Sequence, residues 1–197
     1  MAERSKDVRI IGGTHRGRAL ASVGRGDAAA HLRPTTDRVR ESLFNLLAHG
    51  GYAERPLPEG YRVLDLFAGT GALGLEALSR GAEQAVFVDQ GRKAQKILEE
   101  NISKLGVLPQ TKVIPKDATR LGKCVSDPFR LVFLDPPYGK KLGEKALASA
   151  AAGGWIAPGS VIVWEESDAV RKPQGFSRLD ERRYGDTVIS IFRFDGT

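Results

Sequence analysis

Asp135-Pro136-Pro137-Tyr138 follows the apolar run Leu131-Val132-Phe133-Leu134 and leads into Gly139-Lys140-Lys141. Pro136 drives Asp135 out of the helical region, and neither proline has an N–H to engage nearby carbonyl acceptors. A fixed carboxylate and a free backbone carbonyl at the end of a buried strand follow. Two acceptors at a fixed angle suit an NH₂ group, which has two hydrogens to give. Tyr138 adds a ring on which a base can stack, worth about 1–3 kcal/mol. An amine conjugated to a ring is a poor nucleophile because its lone pair is delocalised, and accepting its hydrogens returns density to nitrogen. Alignment for in-line attack can supply a large share of the roughly 7–11 kcal/mol that positioning offers. Asp135, Pro136 and Tyr138 are therefore the candidate catalytic residues, although the tetrapeptide alone is equally a rigid turn after a core strand.

A second constellation lies two β-α units upstream. Asp65-Leu66-Phe67-Ala68-Gly69-Thr70-Gly71-Ala72-Leu73-Gly74 fits Gly-x-Gly-x-x-Gly with a strand before it and a helix after it. Glycines at such a turn permit tight backbone geometry and close approach of a cofactor. Twenty residues past Gly69, Asp89 ends the second strand, where a carboxylate can accept from both ribose hydroxyls. The pattern alone fits NAD as well as any other adenosine cofactor. Asp65 favours a different ligand, because a carboxylate beside the turn repels a pyrophosphate and attracts an amino group or a sulfonium; S-adenosylmethionine carries both. Asp117, after the third strand, can accept from the adenine amine or cap the short segment 118–123. Asn101 lies on an apolar helix stripe and reads as a satisfied buried amide.

The elements that must hold these residues are legible in the same way. With 197 residues the chain can bury a full core. One cysteine, Cys124, excludes an internal disulfide, and His15, His31 and His49 have no metal-ligand spacing. No stretch approaches the ~18 apolar residues of a membrane span, so a cytoplasmic protein without bound metal is expected. Residues 1–40 carry nine Lys/Arg against four acids, most of the net charge of +6. A basic segment on a neutral body points to a polyanionic partner.

From Tyr61 onward, strands centred on Val63–Phe67, Ala85–Asp89, Lys112–Pro115, Leu131–Leu134 and Val161–Trp164 alternate with helices, which predicts a mostly parallel sheet covered on both faces. Phe176–Arg183 and Thr187–Phe194 are separated only by Tyr184-Gly185-Asp186, which requires an antiparallel hairpin and makes seven strands. Ahead of this lies a basic N-terminal extension, residues 1–52. Its short strands at Val8–Ile11 and Arg18–Ala21 form a hairpin, residues 22–32 a loop, and a helix starting near Thr36 buries Val39, Leu43, Leu46 and Leu47 before Gly50-Gly51. Residues 53–197 form the catalytic domain.

With both ends identified, the chain resembles a class I S-adenosylmethionine-dependent methyltransferase with the Asp/Asn-Pro-Pro-Tyr/Phe motif, and more closely the RsmD family of 16S rRNA (guanine-N2) methyltransferases. The matching blocks are Arg9–Gly13 with Arg16-Gly17-Arg18, Leu32–Asn45, Leu64–Gly71 and Phe133–Tyr138. The first two discriminate, since the others occur across many methyltransferases. The resemblance implies a Rossmann-like α/β fold, a guanine amine held at Asp135–Tyr138, and S-adenosylmethionine held by Asp65, Gly69, Thr70, Gly71, Asp89 and Asp117. It also implies RNA contacts from Arg9, Arg16, Arg18, Arg33, Arg38 and Arg40, and a small-subunit or assembly-intermediate substrate; a monomer is expected. The corner's chemistry by itself leaves open a DNA adenine-N6 methyltransferase, and the fold a non-catalytic RNA-binding assembly factor.

Overall fold

The structure, a computed structural model, describes residues 8–22 and 36–196. The alanine-rich loop at 23–32, Arg33 and the Pro34-Thr35 part of the helix start lie outside the described residues. The sheet is built from β1 (Arg62–Leu66), β2 (Gln84–Val88), β3 (Thr111–Ile114), β4 (Phe129–Leu134), β5 (Ile156–Glu166), β6 (Phe176–Tyr184) and β7 (Thr187–Phe194). Its seven strands run in the order β3-β2-β1-β4-β5-β7-β6. The first five are mutually parallel, while β7 is antiparallel to both β5 and β6.

The helices are α1 (Asp37–His49), α2 (Ala72–Ser79), α3 (Arg92–Leu105) and α4 (Leu142–Ala152). Alternation along each strand sends side chains to two cores. Val63, Phe87, Phe133, Val163 and Ile191 belong to the core shared with α1, α2 and α3, and Leu64, Val88, Leu134, Trp164 and Phe192 to the one beneath α4. Both faces being covered explains why the central strands are nearly continuously apolar.

The Thr36 side chain accepts from the Val39 amide and caps α1, and the Gly50 amide returns to the Leu46 carbonyl. The buried stripe is rotated from the expected one: Arg40, Leu43, Phe44 and Leu47 are inward, and Val39 and Leu46 only partly covered. Positions 40, 44 and 47 lie on one face at i, i+4 and i+7, and Phe44 meets Phe133 of β4 at 5.7 Å between ring centroids. An aromatic contact with the sheet thus sets the rotation and carries Arg40 inside.

The N-terminal hairpin is narrower than two full strands, with a single antiparallel bridge, Arg9 to Ala19, and bonds from Ile10 to Arg18, Gly17 to Ile10 and Leu20 to Val8. Its tip, a 3₁₀ turn over Gly13–His15, sits on the end of α2. There the fully buried carboxylate of Glu76 accepts the amides of Ile11 at 2.7 Å and Gly12 at 2.9 Å, and Arg80 Nε at 2.7 Å. Gly13 has φ +76°, and a Cβ there would lie 1.7 Å from the Ser79 carbonyl oxygen. Val8, Ile10 and Leu20 then enter the same core as α1.

Glu76→Gln leaves one of the two hairpin amides facing an N–H instead of an oxygen. The expected loss is on the order of 1–3 kcal/mol, the cost of an unsatisfied buried group, read as a lower denaturation midpoint with unchanged m. A loss under about 0.5 kcal/mol, the scale of an ordinary surface substitution, would show that the hairpin does not depend on this carboxylate.

Candidate active site

Every one of the five parallel strands brings a carboxylate to the carboxyl edge of the sheet. Asp65 lies in β1, Asp89 directly after β2, Asp117 three residues after β3, Asp135 directly after β4, and Glu165 near the end of β5. The edge of a parallel sheet on which ligands bind is therefore strongly acidic.

At the cofactor end, β1 stops at Leu66 and Phe67 takes a left-handed conformation with φ 61°. Such a backbone costs a bulky residue on the order of 1–3 kcal/mol and is characteristic of functional turns. Gly69 and Gly71 follow with φ 55° and 81°, and Gly71 caps α2. Gly74 answers to packing: a Cβ on it would meet the Phe87 ring at 2.4 Å and Asp65 Oδ2 at 3.1 Å. Asp65 is 1% exposed and accepts the Gly74 amide at 2.9 Å. Burial pushes its carboxyl up to about 7, against the pull of the Gly74 amide, and Asp89 pushes the same way.

Asp89 is committed more deeply than expected. Oδ2 accepts the Gly69 amide at 2.8 Å and Oδ1 the Gly91 amide at 2.7 Å, so the carboxylate braces the glycine turn as well as its own. Asp117 caps the turn Ala118–Arg120, with Oδ1 accepting from both the amide and the hydroxyl of Thr119 at 2.8 Å. Asn101 is the satisfied buried amide foreseen: Oδ1 accepts the Ala21 amide, and Nδ2 donates to the carbonyls of Ala21 and Thr70. It also ties the hairpin segment to the glycine turn.

At the chemical end, the Asp135 amide still reaches the Leu66 carbonyl at 3.4 Å, which holds the corner against β1. The residue is partly exposed while its carboxyl is sunk at the edge. That burial, followed by the charges of Glu165, Asp65 and Glu166, raises its pKa well above the carboxylate range. Pro136 is buried. Tyr138 directs its hydroxyl onto Glu165 Oε1 at 3.0 Å, with Thr187 Oγ1 at 3.5 Å, and burial together with Glu165 raises its pKa. Asp89 thus acts on Asp65, and Asp65 and Glu165 act on Asp135.

Of the basic candidates, Arg16, Arg18 and Arg38 are exposed. Arg9 is exposed but paired with Asp37 at 3.1 Å. Arg40 corrects the sequence expectation: it is 0% exposed, donates to the Arg9 carbonyl and Asp37 Oδ1, and is out of reach of a phosphate. Its position on the Phe44 face of α1 is the cause. Among the described residues no helix is long and apolar enough to cross a membrane, and no group of His, Cys, Asp or Glu is placed to hold a metal ion.

Glu76 and Glu165 were missed at the sequence level. Glu76 sits inside the helical run Leu75-Glu76-Ala77-Leu78, where only its lack of an exposed face marks it. Glu165 ends the run Val161–Trp164, and an acid at the carboxyl end of a parallel strand was the available signal.

The sheet order, the glycine turn and the proline corner define a class I methyltransferase fold. A solved structure titled "Putative methyltransferase yhhF from Escherichia coli" superposes with a TM-score of 0.79 at 34% identity, covering 97% of this chain and 99% of that one. The chain belongs to the family described as Conserved hypothetical protein 95, the RsmD family, which matches residues 8–193. It is 35% identical over 192 residues to Ribosomal RNA small subunit methyltransferase D of Escherichia coli, covering 96% of this chain and 91% of the relative. It is also 35% identical over 195 residues to "Putative rRNA methyltransferase YlbH" of Bacillus subtilis, covering 96% and 100%.

The raised pKa of Asp65 has a testable sign. Its native state holds the proton more tightly than the unfolded chain, so its contribution is most favourable below about pH 4 and is lost as pH rises to about 7. Asp65→Asn keeps an acceptor for Gly74 and removes the buried charge. The variant is expected to melt above the parent at about pH 8.5, with the gap closing toward about pH 4. A pH-independent difference would show that charge is not the cause.

Proposed function

We propose that this chain transfers a methyl group from S-adenosylmethionine to the exocyclic N2 amine of a guanine in 16S rRNA of the small ribosomal subunit. The observation that carries the reading is the placement of two carboxylates at one edge of the sheet, the buried Asp65 of β1 and the partly exposed Asp135 directly after the neighbouring strand β4. The family and the names of its relatives supply the polymer and the subunit.

The donor fits this edge by charge. Burial and neighbouring carboxylates raise Asp65 and Asp135, and among the described residues no cation figures in the influences on either. A ligand carrying a sulfonium and an ammonium relieves that repulsion, whereas a pyrophosphate aggravates it. Asp65 is assigned the amino group. The remaining lone pairs of Asp89 are assigned the ribose hydroxyls, and the second oxygen of Asp117 the adenine amine. Gly69, Thr70 and Gly71 supply the turn that lets the ligand approach.

When bound, S-adenosylmethionine supplies an electrophilic methyl group. Asp135 accepts an N2–H and takes the proton that N2 sheds, for which its raised pKa suits it. Pro136 holds the corner's angle, and the ring of Tyr138, restrained by Glu165, gives the extruded base a face to stack on. Arg16, Arg18 and Arg38 are assigned to phosphates; Arg9 joins them by exchanging Asp37 for RNA, and Arg33 belongs to the same set by sequence.

Asp135→Ala is expected to lower methyl incorporation into small-subunit RNA on the order of 100-fold or more, while S-adenosylmethionine affinity by calorimetry changes less than about threefold. Product digestion should yield N2-methylguanosine. Incorporation equal to the parent would overturn the role of Asp135, and N6-methyladenosine as product would overturn the assignment of the base. Because the ionised carboxylate accepts the N–H, the parent's single-turnover rate should rise with pH through the raised Asp135 pKa and then level off. Charge-removing changes at Arg16, Arg18 and Arg38 should each weaken RNA binding and reduce its salt slope by about 1; an unchanged slope would place the RNA elsewhere.

A further inference from the structure

The amine-holding corner does not by itself distinguish guanine from adenine, because both bases present an exocyclic NH₂. They differ at the adjacent ring atom. Guanine N1 carries a hydrogen and donates, whereas adenine N1 is a bare acceptor. A second acceptor beside Asp135 would therefore read the base.

The structure places one there. Leu134, the last residue of β4, is in register with Trp164 of β5, on strands about 4.8 Å apart, so Asp135 directly after β4 lies beside Glu165, whose charge acts on it. The two strands run in the same direction, so both acids leave the sheet at its ligand-binding edge. Glu165 is 4% exposed and receives the Tyr138 hydroxyl, which makes it the neighbour of both the amine acceptor and the stacking ring.

We propose that Glu165 is the specificity-determining residue, accepting N1–H of the target guanine while Asp135 accepts from N2. This rests on the guanine-N2 reading above. Two adjacent donors on the base meet two adjacent carboxylates, and an adenine in the same pose would aim its N1 lone pair at a buried negative charge. Leaving a recognition acceptor unpaired is the arrangement that rejects an analogue most strongly. Glu165 also restrains Tyr138, so its contact with the base must be separated from an effect through the ring.

The test uses small-subunit RNA carrying, at the modified position, either guanine or 2-aminopurine, which keeps the C2 amine and lacks N1–H. Single-turnover methyl transfer gives kcat/KM for each. The parent should favour guanine on the order of 10- to 100-fold. Glu165→Gln presents an amide that can donate to a bare N1, so its preference should fall below about threefold, chiefly by loss on guanine. Tyr138→Phe removes the hydroxyl and leaves the carboxylate, and should lower both substrates while keeping the parent's preference.

Equal losses on both bases in Glu165→Gln, or the same loss of preference in Tyr138→Phe, would show that Glu165 acts only through the tyrosine and would overturn the proposal. Should Glu165→Gln misfold, the parent's own preference decides: parity between the two bases overturns the N1 contact. Failure of the underlying reading looks different, since the parent's product would then not be N2-methylguanosine.

Discussion

Like-charge crowding at the carboxyl edge of the sheet is the constraint from which the rest of this structure follows. Four carboxylates, Asp65, Asp89, Asp135 and Glu165, are held where water is partly excluded and where each raises the cost of ionising at least one other. Isolated buried charge is expensive and ordinarily neutralises or finds a partner. Here backbone amides and one phenol do part of that work: the amide of Gly74 on Asp65, those of Gly69 and Gly91 on Asp89, and the hydroxyl of Tyr138 on Glu165. The glycine turn is thus shaped by the carboxylates around it as much as by a future ligand. Its strained Phe67 and left-handed glycines put the amides where the acids need donors.

Local patterns in the chain determine most of this architecture and the chemical poles of the site. Continuous apolar strands separated by helices could only be a covered parallel sheet, and a three-residue link between two strands could only be a hairpin. The proline corner and glycine turn carry geometry in their residue types. What escaped the sequence depends on contacts between distant segments. The rotation of α1, and with it the burial of Arg40, is decided by Phe44 meeting Phe133. Arginine has no intrinsic reason to be placed on an apolar face. Glu76 looks like an ordinary helical acid until the hairpin amides arrive more than sixty residues away in sequence. The commitment of both Asp89 oxygens to amides was hidden for the same reason: a carboxylate after a strand looks the same whether it awaits a ribose or braces a turn.

The burial of Arg40 links the extension to the acidic edge. It is the one fully buried basic side chain among the described residues, and its Nε and Nη1 have no hydrogen-bond partner. Burial lowers its pKa, while Asp37, Glu76 and Glu165 hold it up in that order of effect. Its charge therefore acts both on the carboxylate that seats the hairpin and on the one that restrains Tyr138. A cation there lowers the cost of keeping Glu165 ionised without competing as a hydrogen-bonding neighbour of Asp135.

That arrangement gives the extension a second consequence beyond any contact with RNA. The hairpin is fastened to α2 through Glu76, to α1 through the Arg9 carbonyl on Arg40, and to the glycine turn through Asn101, which bonds Ala21 on one side and Thr70 on the other. Each attachment ends at an element that also shapes the site: α2 is capped by Gly71, α1 carries the cation whose charge acts on Glu165, and Thr70 lies in the turn itself. A displacement of the hairpin by a polyanion cannot stay local, because it would disturb the donors that make the buried carboxylates tolerable. The basic surface and the acidic edge are thus mechanically joined, although their charges suit opposite ligands. An acidic edge suits a cationic ligand or an amine, and exposed arginines suit phosphates.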